Sequence, residues 1–398
     1  MSTPPGLVSH YLDHAATTPA RPEVVAEVAR ALGEVGNASS LHASGRRARR
    51  RVEESREQVA ASLGAAPAEV VLLSGGTEAD NLAVKGLYWG RRAADQRRRR
   101  VLVSAVEHHA VLDSAAWLAA HDGAVVELLP VSSDGVVRAE ALSEAVSRDP
   151  DDVALVSCMW ANNEVGAVQP VDALVEVAHS YGVPVHSDAV QAVAALDVDF
   201  AASGLDAMSV SGHKLGGPVG AGALVTRRGL ELVPLLHGGG QERDLRSGTL
   251  DVASARGLAV ALHHAVLDRS AQAERLRGLR DDLERRVRVV VPDVIVNAAD
   301  QRLPGICHLT FPGCAGDALL MLLDAQGVEC STGSACSAGV PGTSHVLLAM
   351  GRDASAAAGS LRVSLGRTST PADVDAFVTA IGPVVERARA AELTAVGR

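Results

Sequence analysis

The stretch VVLLSGGTEADNLAVKGL, residues 70–87, decides the fold. Val70 to Leu73 is an unbroken apolar run, the pattern of a strand covered on both faces rather than one. Gly75 and Gly76 then break the chain, and the apolar residues from Ala79 onward recur at helical spacing. Strand, tight glycine turn and helix in that order form the unit of a parallel sheet. Outward from it the unit repeats. RVLVSAVEHHAVLDSAAWLAA (100–120) reads as strand, loop and helix, and VALVSCMWANNEVG (153–166) as a strand ending in a polar loop. VDALVEVAHSYG (171–182) is an amphipathic helix closed by Gly182, and VPVHSDA (183–189) is a further strand. DAMSVSGHKLGGPVGAGALVT (206–226) reads as strand, polar turn and Gly-rich hairpin. This rhythm predicts an α/β fold: a mostly parallel sheet covered by helices. After Thr249 the pattern changes. An Arg-rich helical segment (252–290) leads to VRVVVPDVIVNA, ICHLTFPG and VSLG, which predicts a smaller α+β domain.

Composition bounds the rest. The chain has 398 residues, with 47% hydrophobic and 21% charged, which excludes a disordered chain or a disulfide scaffold. Aromatics are only 2%, so the core must be built from Ala, Val and Leu. Net charge is −10, which gives no global pull toward nucleic acid or an anionic membrane. No apolar run approaches the ~18 residues of a membrane span, and no secretory pattern is expected at the N-terminus. The five cysteines (Cys158, Cys307, Cys314, Cys330, Cys336) form no CxxC pair, which suits free thiols in a reducing cytoplasm. The runs Arg46–Arg51 and Arg97–Arg100 read as solvated faces, with a docking patch for an acidic partner as the alternative.

Of 37 basic residues only two are lysine, Lys85 and Lys214. An arginine can replace a surface lysine but cannot form an imine, so a retained lysine is informative. Lys214 follows an apolar strand in Ser-Gly-His-Lys, where partial desolvation favours a neutral, nucleophilic amine. Lys85, mid-helix, reads as a solvated surface residue. Gly75-Gly76-Thr77-Glu78 opens a helix after a strand, which is either a phosphate cradle or a plain connecting turn. Asp188 ends a strand, as a partner for a protonated pyridine nitrogen or as a helix cap. His108, in Glu107-His108-His109, is placed to stack on a flat cofactor or move protons, with a two-His metal site as the competitor. Arg362 alternates with apolar residues, as an inward carboxylate clamp or an edge-strand surface residue. Cys336 lies in a loop of small residues, where an accessible thiolate is a nucleophile. Cys158 and Cys307 read as inert packing, and Cys314, in a turn, as a weaker exposed thiol candidate.

At this point the sequence resembles the NifS/IscS-type cysteine desulfurases of the class V aminotransferase superfamily. The resemblance is carried by YLDHAATTP (11–19), NASSLH (37–42), SGGTEADNLAV, EHHAVLD, NNEVGAVQ, HSDAVQ, SGHKLGGPVG, HGGGQERDLRSGT, STGSAC and SLRVSLGR, spread over nearly the whole chain. One departure is mild: Gly-Gly-Thr-Glu stands where the family often has Gly-Ala-Thr-Glu. STGSAC resembles the IscS/NifS subgroup more than the SufS subgroup. The resemblance implies fold type I of the pyridoxal 5'-phosphate (PLP) enzymes. It implies a large PLP-binding domain over 20–262 and a small domain from 1–19 and 263–398 that carries a mobile cysteine loop, about 328–345. It also implies a set of roles. Lys214 is the PLP lysine, Gly76 and Thr77 hold phosphate, and His108 stacks on the ring. Asp188 faces the pyridine nitrogen, Asn163 and Gln191 lie near the ring oxygen, and Ser211 and His213 serve phosphate and proton handling. Thr249 reaches the phosphate in the neighbouring subunit of a homodimer. Arg362 binds the substrate carboxylate, Asn37 lies on the substrate side, and Cys336 receives sulfur as a persulfide. The implied reaction removes sulfur from L-cysteine, giving L-alanine. The persulfide then passes to an acceptor protein for Fe–S cluster assembly or thiolation. No intrinsic metal is expected, although Cys336 could transiently ligate a cluster; no nucleic-acid or membrane binding is expected, and the location is cytoplasmic. The competing readings are a selenocysteine lyase or another class V aminotransferase-type PLP enzyme and, from a different class, a scaffold that docks on partners through its arginine runs.

Overall fold

A computed structural model describes residues 9–333 and 343–396, the last four by backbone alone. The strands in chain order are β1 (His10–Tyr11), β2 (Val70–Leu73), β3 (Arg100–Ser104), β4 (Val125–Leu129), β5 (Val153–Ser157), β6 (Val185–Asp188), β7 (Ala207–Ser211), β8 (Gly222–Thr226), β9 (Ile295–Val296), β10 (Ile306–Thr310), β11 (Val328–Glu329) and β12 (Ser360–Ser364). Seven of them form one sheet in the order β2-β8-β7-β6-β5-β3-β4. From β7 to β4 every pairing is parallel, whereas β8 runs antiparallel to both β2 and β7. Inserting one reversed strand leaves β2 pointing the same way as β7. The C-terminal ends of β2, β3, β5, β6 and β7 therefore open on one side, where open α/β sheets place their ligands.

The unbroken apolar strands are buried along their whole length, as their composition requires. Edge strand β4 is more exposed. The sheet core is aliphatic, with Leu102, Leu155, Val156, Met208 and Leu224 at its centre. The small sheet has the order β12-β10-β9, and β1 pairs with β11 beside it. Its separate core gathers Phe311, Leu361, Val363 and Phe377.

The helix Val252–Val290 has 39 residues, so it is roughly 58 Å long. Its first turns (Leu258, Leu262, Ala265) pack in the large core and its last turns (Leu283, Val287) in the small one. The apolar stretch at 287–298 is mostly not strand: helix continues through Val290, and only Ile295–Val296 pairs with β10.

The arginine runs are largely tied down. Arg49, Arg50 and Arg51 pair with Glu53, Glu54 and Glu34. Arg97 pairs with Asp95, and the buried Arg100 pairs with Glu127. Lys85 is not the free surface residue its sequence suggests. It is half-buried, with its ammonium 4.5 Å from the centre of the Trp117 ring, a cation–π contact that the Trp117 side of the helix pair creates.

Candidate active site

A cavity of about 310 Å³ opens at the C-terminal ends of β2, β6 and β7, and it gathers most of the candidate residues: Gly76, Thr77, His108, Asn163, Asp188, Gln191, Ser211, His213, Lys214 and Arg362. The topology explains the convergence. Ser211 ends β7 opposite Gly222, which ends the neighbouring β8 ladder, and the turn before helix Gly76–Ala94 rests against the same point. A side chain on Gly76 would come within 2.9 Å of Val190, and one on Gly222 within 2.6 Å of the Gly75 backbone. Glycine is thus needed for the close approach of turn to strand.

Lys214 sits on a single turn of helix, Gly212–Lys214, directly after β7. Its Nζ donates to the carbonyls of Ala15 (2.6 Å) and Ala16 (2.7 Å). Gln191 Nε2 donates to the same Ala15 carbonyl at 2.9 Å. Asp188 is buried at the end of β6, where its carboxylate accepts from the Val190 N–H at 2.9 Å. It therefore caps the following turn and also faces the cavity. Burial pushes its carboxyl up to about 6, against the opposing effects of the Val190 N–H and Lys214. His108 begins the helix His109–Asp122, with Nδ1 accepting from Ala110 N at 3.1 Å. Burial and the nearby Lys214 charge push its imidazole down to about 4, so the ring is neutral at pH 7. His213 touches Thr17 Oγ1 at 3.2 Å and is pushed down to about 4 by the same causes.

Arg362 overturns the surface alternative for that position. It is only 3% exposed, although β12 lies at the edge of its sheet. Its Nη1 donates to the Asn163 carbonyl (3.0 Å) and Nη2 to Asp13 Oδ1 (2.7 Å), and Nε has no partner among the described residues. The guanidinium therefore faces the cavity already engaged with a carboxylate.

Two candidates lie elsewhere. Thr249 is exposed and lines a different recess, with Ser74, Gly222 and Arg246. Asn37 is exposed on the segment before helix Ala43–Ser62, and its Oδ1 accepts from Ser39 N. Neither contributes to the Lys214 cavity of its own chain. Cys336 lies outside the described residues. Cys314 is buried rather than exposed, and burial raises its thiol pKa. Cys158, Cys307 and Cys330 are also buried, with Cys330 pushed up to about 12.

Sequence reasoning assigned no role to several groups around the site. Asp80 and Glu107 are buried carboxyls with one oxygen each lacking a hydrogen-bond partner among the described residues, although Asp80 Oδ1 lies 3.6 Å from His186 Nε2. Burial, together with the Asp188 charge, raises both well above the carboxylate range. Glu164, buried beside Asn163, accepts from Ser344 Oγ at 2.5 Å, and its Oε2 would lie 3.3 Å from a side chain added at Gly333. Gly333 has φ +82°, a conformation that favours glycine. Glu107 and Glu164 stand inside motifs that were legible, but only the tertiary packing shows that they are buried.

These features fit PLP. A helix N-terminus with Thr77 and Ser211 beside it suits a phosphate. A neutral imidazole, a carboxylate and a lysine amine line the same cavity. Among the described residues no three side chains come together that could hold a metal ion.

Comparison with known proteins agrees with this geometry. Residues 10–377 match the family model "Aminotransferase class-V". The chain is 59% identical over 389 residues to an IscS-like cysteine desulfurase of Mycobacterium tuberculosis, covering 97% of this chain and 99% of that protein. It is 39% identical over 381 residues to the cysteine desulfurase IscS of Dictyoglomus turgidum, covering 95% of each. Among solved structures, a NifS-like protein superposes with TM-score 0.88 at 34% identity, covering 96% of this chain and all of that one. A NifS-like protein from Rickettsia africae gives 0.85 at 30% identity, covering 95% of this chain and 100% of its own. The chain belongs to the class-V aminotransferases, and within them to the IscS/NifS-like cysteine desulfurases. Its fold is type I of the PLP enzymes, and PLP is its cofactor.

Proposed function

We propose that this enzyme takes sulfur from L-cysteine, releases L-alanine and leaves a persulfide on Cys336. The observation that carries the reading is the meeting of Lys214, Asp188, His108 and Arg362 around one cavity. PLP, when bound, supplies an electron sink for the pair left at the substrate Cα. The protein residues do the rest. Arg362 takes the substrate carboxylate in the place now held by Asp13. Lys214 removes the Cα proton and returns it later, and the Ala15 and Ala16 carbonyls hold its ammonium. Asp188 keeps a negative charge opposite the pyridine nitrogen. Gly76, Thr77, Ser211 and His213 hold the phosphate side, while Asn163 and Gln191 hold the ring-oxygen side. The Cys336 thiolate attacks the substrate sulfur. The C–S bond breaks with its electron pair on carbon, a proton completes the methyl group of alanine, and the sulfur stays on Cys336.

The persulfide then passes to an acceptor protein in Fe–S cluster assembly or thiolation. The enzyme works as a cytoplasmic homodimer, with Thr249 serving the partner's phosphate site and Asn37 near its substrate. Support comes from large apolar side chains left exposed beside Asn37: Leu32 (73%), Val35 (83%) and Leu41 (90%). A second copy is the natural cover for them. A large domain over 20–262 and a small one from 1–19 and 263–398 suit the core that Leu12 forms with residues 283–388, while Ala265, Leu303 and Ile306 pack into the large core and a further cluster joins Val106 and Met159 to Val346 and Leu347 across the boundary. Among the described residues no helix is long and apolar enough to cross a membrane. The test is Lys214→Ala, which should lose the visible absorbance of lysine-bound PLP. An unchanged absorbance band in that variant would refute the lysine assignment.

A further inference from the structure

A second cavity, of about 120 Å³, adjoins the first and shares Ala15, Val190, Gln191 and Lys214 with it. One water needs only ~10–15 Å³ by this kind of measure, so a ligand of several atoms fits. The rest of its lining comes mainly from the N-terminal segment, the long helix, residues 303–306 and the chain from Ser364 to Arg367. His14 lines it at 7% exposure, and its Nε2 is buried without a partner among the described residues. A buried polar atom of this kind is costly to leave unmet. The ring is firmly held. Nδ1 is 2.7 Å from Thr18 Oγ1, and the ring rests on Gly366, where a side chain would meet Nδ1 at 2.2 Å.

The cavity's charges share one sign. Arg21, Lys214 and Arg367 line it, and no Asp or Glu does among the described residues. Arg21 is already neutralised by Asp268 at 2.7 Å. Asp373, which acts on His14 from outside the cavity, is held by His10 at 2.8 Å. The half-buried Arg367 guanidinium makes no ion pair among the described residues. A planar fork beside an unmet imidazole nitrogen matches the two oxygens of a carboxylate.

We propose that this cavity binds a small carboxylate between Arg367 and His14 Nε2, next to Lys214 and separate from Arg362. With the Thr18 hydroxyl donating to Nδ1, Nε2 carries the ring proton and donates to the bound oxygen. The product alanine and free small carboxylates share this chemistry. Either would bring a negative charge close to the lysine.

The test is an NMR titration of the ¹⁵N-histidine-labelled holoenzyme with acetate, against chloride at equal ionic strength. The signal that His14→Gln deletes identifies His14. It should move saturably with acetate and not with chloride. Arg367→Gln should weaken acetate about tenfold or more, as the loss of one charge-assisted bond requires, Arg367→Lys should restore part of that, and Arg362→Gln should leave it unchanged. A parallel L-alanine titration in Arg362→Gln identifies the source. Saturation there makes the product a ligand, and saturation by acetate alone assigns the site to free carboxylates. Acetate-soaked crystals of the wild-type holoenzyme should show planar density at Arg367. No saturable shift, an equal shift with chloride, or loss of the shift in Arg362→Gln rather than Arg367→Gln would overturn the proposal. None of these readouts depends on desulfurase activity or on Cys336.

Discussion

Replacing Arg362 with Gln removes the two donors that now reach Asn163 O and Asp13 Oδ1. A charge-assisted hydrogen bond contributes about 1.5–3 kcal/mol, and a bidentate carboxylate uses two. The guanidinium must release Asp13 before it can take the substrate. Asp13 keeps 21% side-chain exposure, so water can replace the lost contact. Subtracting that exchange leaves roughly 3 kcal/mol, or about 150-fold in kcat/KM. Because the carboxylate is held equally before and during reaction, the loss should fall mainly on KM. Arg362→Lys keeps the charge without the fork and should fall in between. The assay is sulfide release under a thiol reductant, with L-cysteine and with cysteamine, which lacks the carboxylate. Wild type and Arg362→Gln should handle cysteamine equally poorly. If the variant loses the same factor on both substrates, Arg362 supports the fold around Asn163 and is not the clamp.

Asp188 should control cofactor retention. As pH falls through about 6 its carboxylate takes a proton, so PLP affinity measured by equilibrium dialysis should weaken below that pH, and Asp188→Asn should be weak at every pH. Glu164→Ala and Ser344→Ala should each cost about 1–3 kcal/mol in urea unfolding, because each leaves a buried partner unmet. The double variant should cost clearly less than the sum, and simple additivity would show that the two do not interact. Burial, with Arg362 nearby, holds the fully buried His308 at about 3, far below the ~6.5 of an unfolded chain. The unfolded state therefore takes the proton first as pH drops, so this contribution is complete above ~6.5 and declines toward 3. His308→Asn keeps an acceptor for Asn297 but does not titrate. The wild-type stability advantage over it should shrink by about 1.4 kcal/mol between pH 7.5 and 5.5, and an unchanged difference would place His308's proton elsewhere.

The fold was legible because its strands are continuous apolar runs, and a parallel sheet buried on both faces needs such runs. Lys214 was legible because the chain otherwise uses arginine, so a retained lysine carries information. Arg362 was undecided in sequence, since alternation with apolar residues fits an edge position as well as an inward one. Its burial comes from Asp13 and Asn163, which are remote in sequence and meet it only in the fold. The same holds for Asp80, Glu107 and Glu164: polar letters in a motif do not show that their oxygens are shut away from water. Cys314 failed for the opposite reason. A Pro-Gly turn suggests exposure, yet the helix after Pro371 covers it, and Cys314 Sγ reaches Val385 O. Thr249 and Asn37 are exposed and lie outside the Lys214 cavity, so the packing of this chain assigns them no role.

In the proposed reaction sulfur moves from L-cysteine to Cys336. The direct measurement is a single turnover of the PLP-loaded protein with L-cysteine and no reductant, quantifying alanine and mapping added sulfur by peptide mass spectrometry. One alanine per active site and one extra sulfur on the Cys336 peptide are expected, with no persulfide in Cys336→Ala although PLP stays bound. Sulfide release at the full rate by Cys336→Ala, or the extra sulfur on another cysteine, would contradict it.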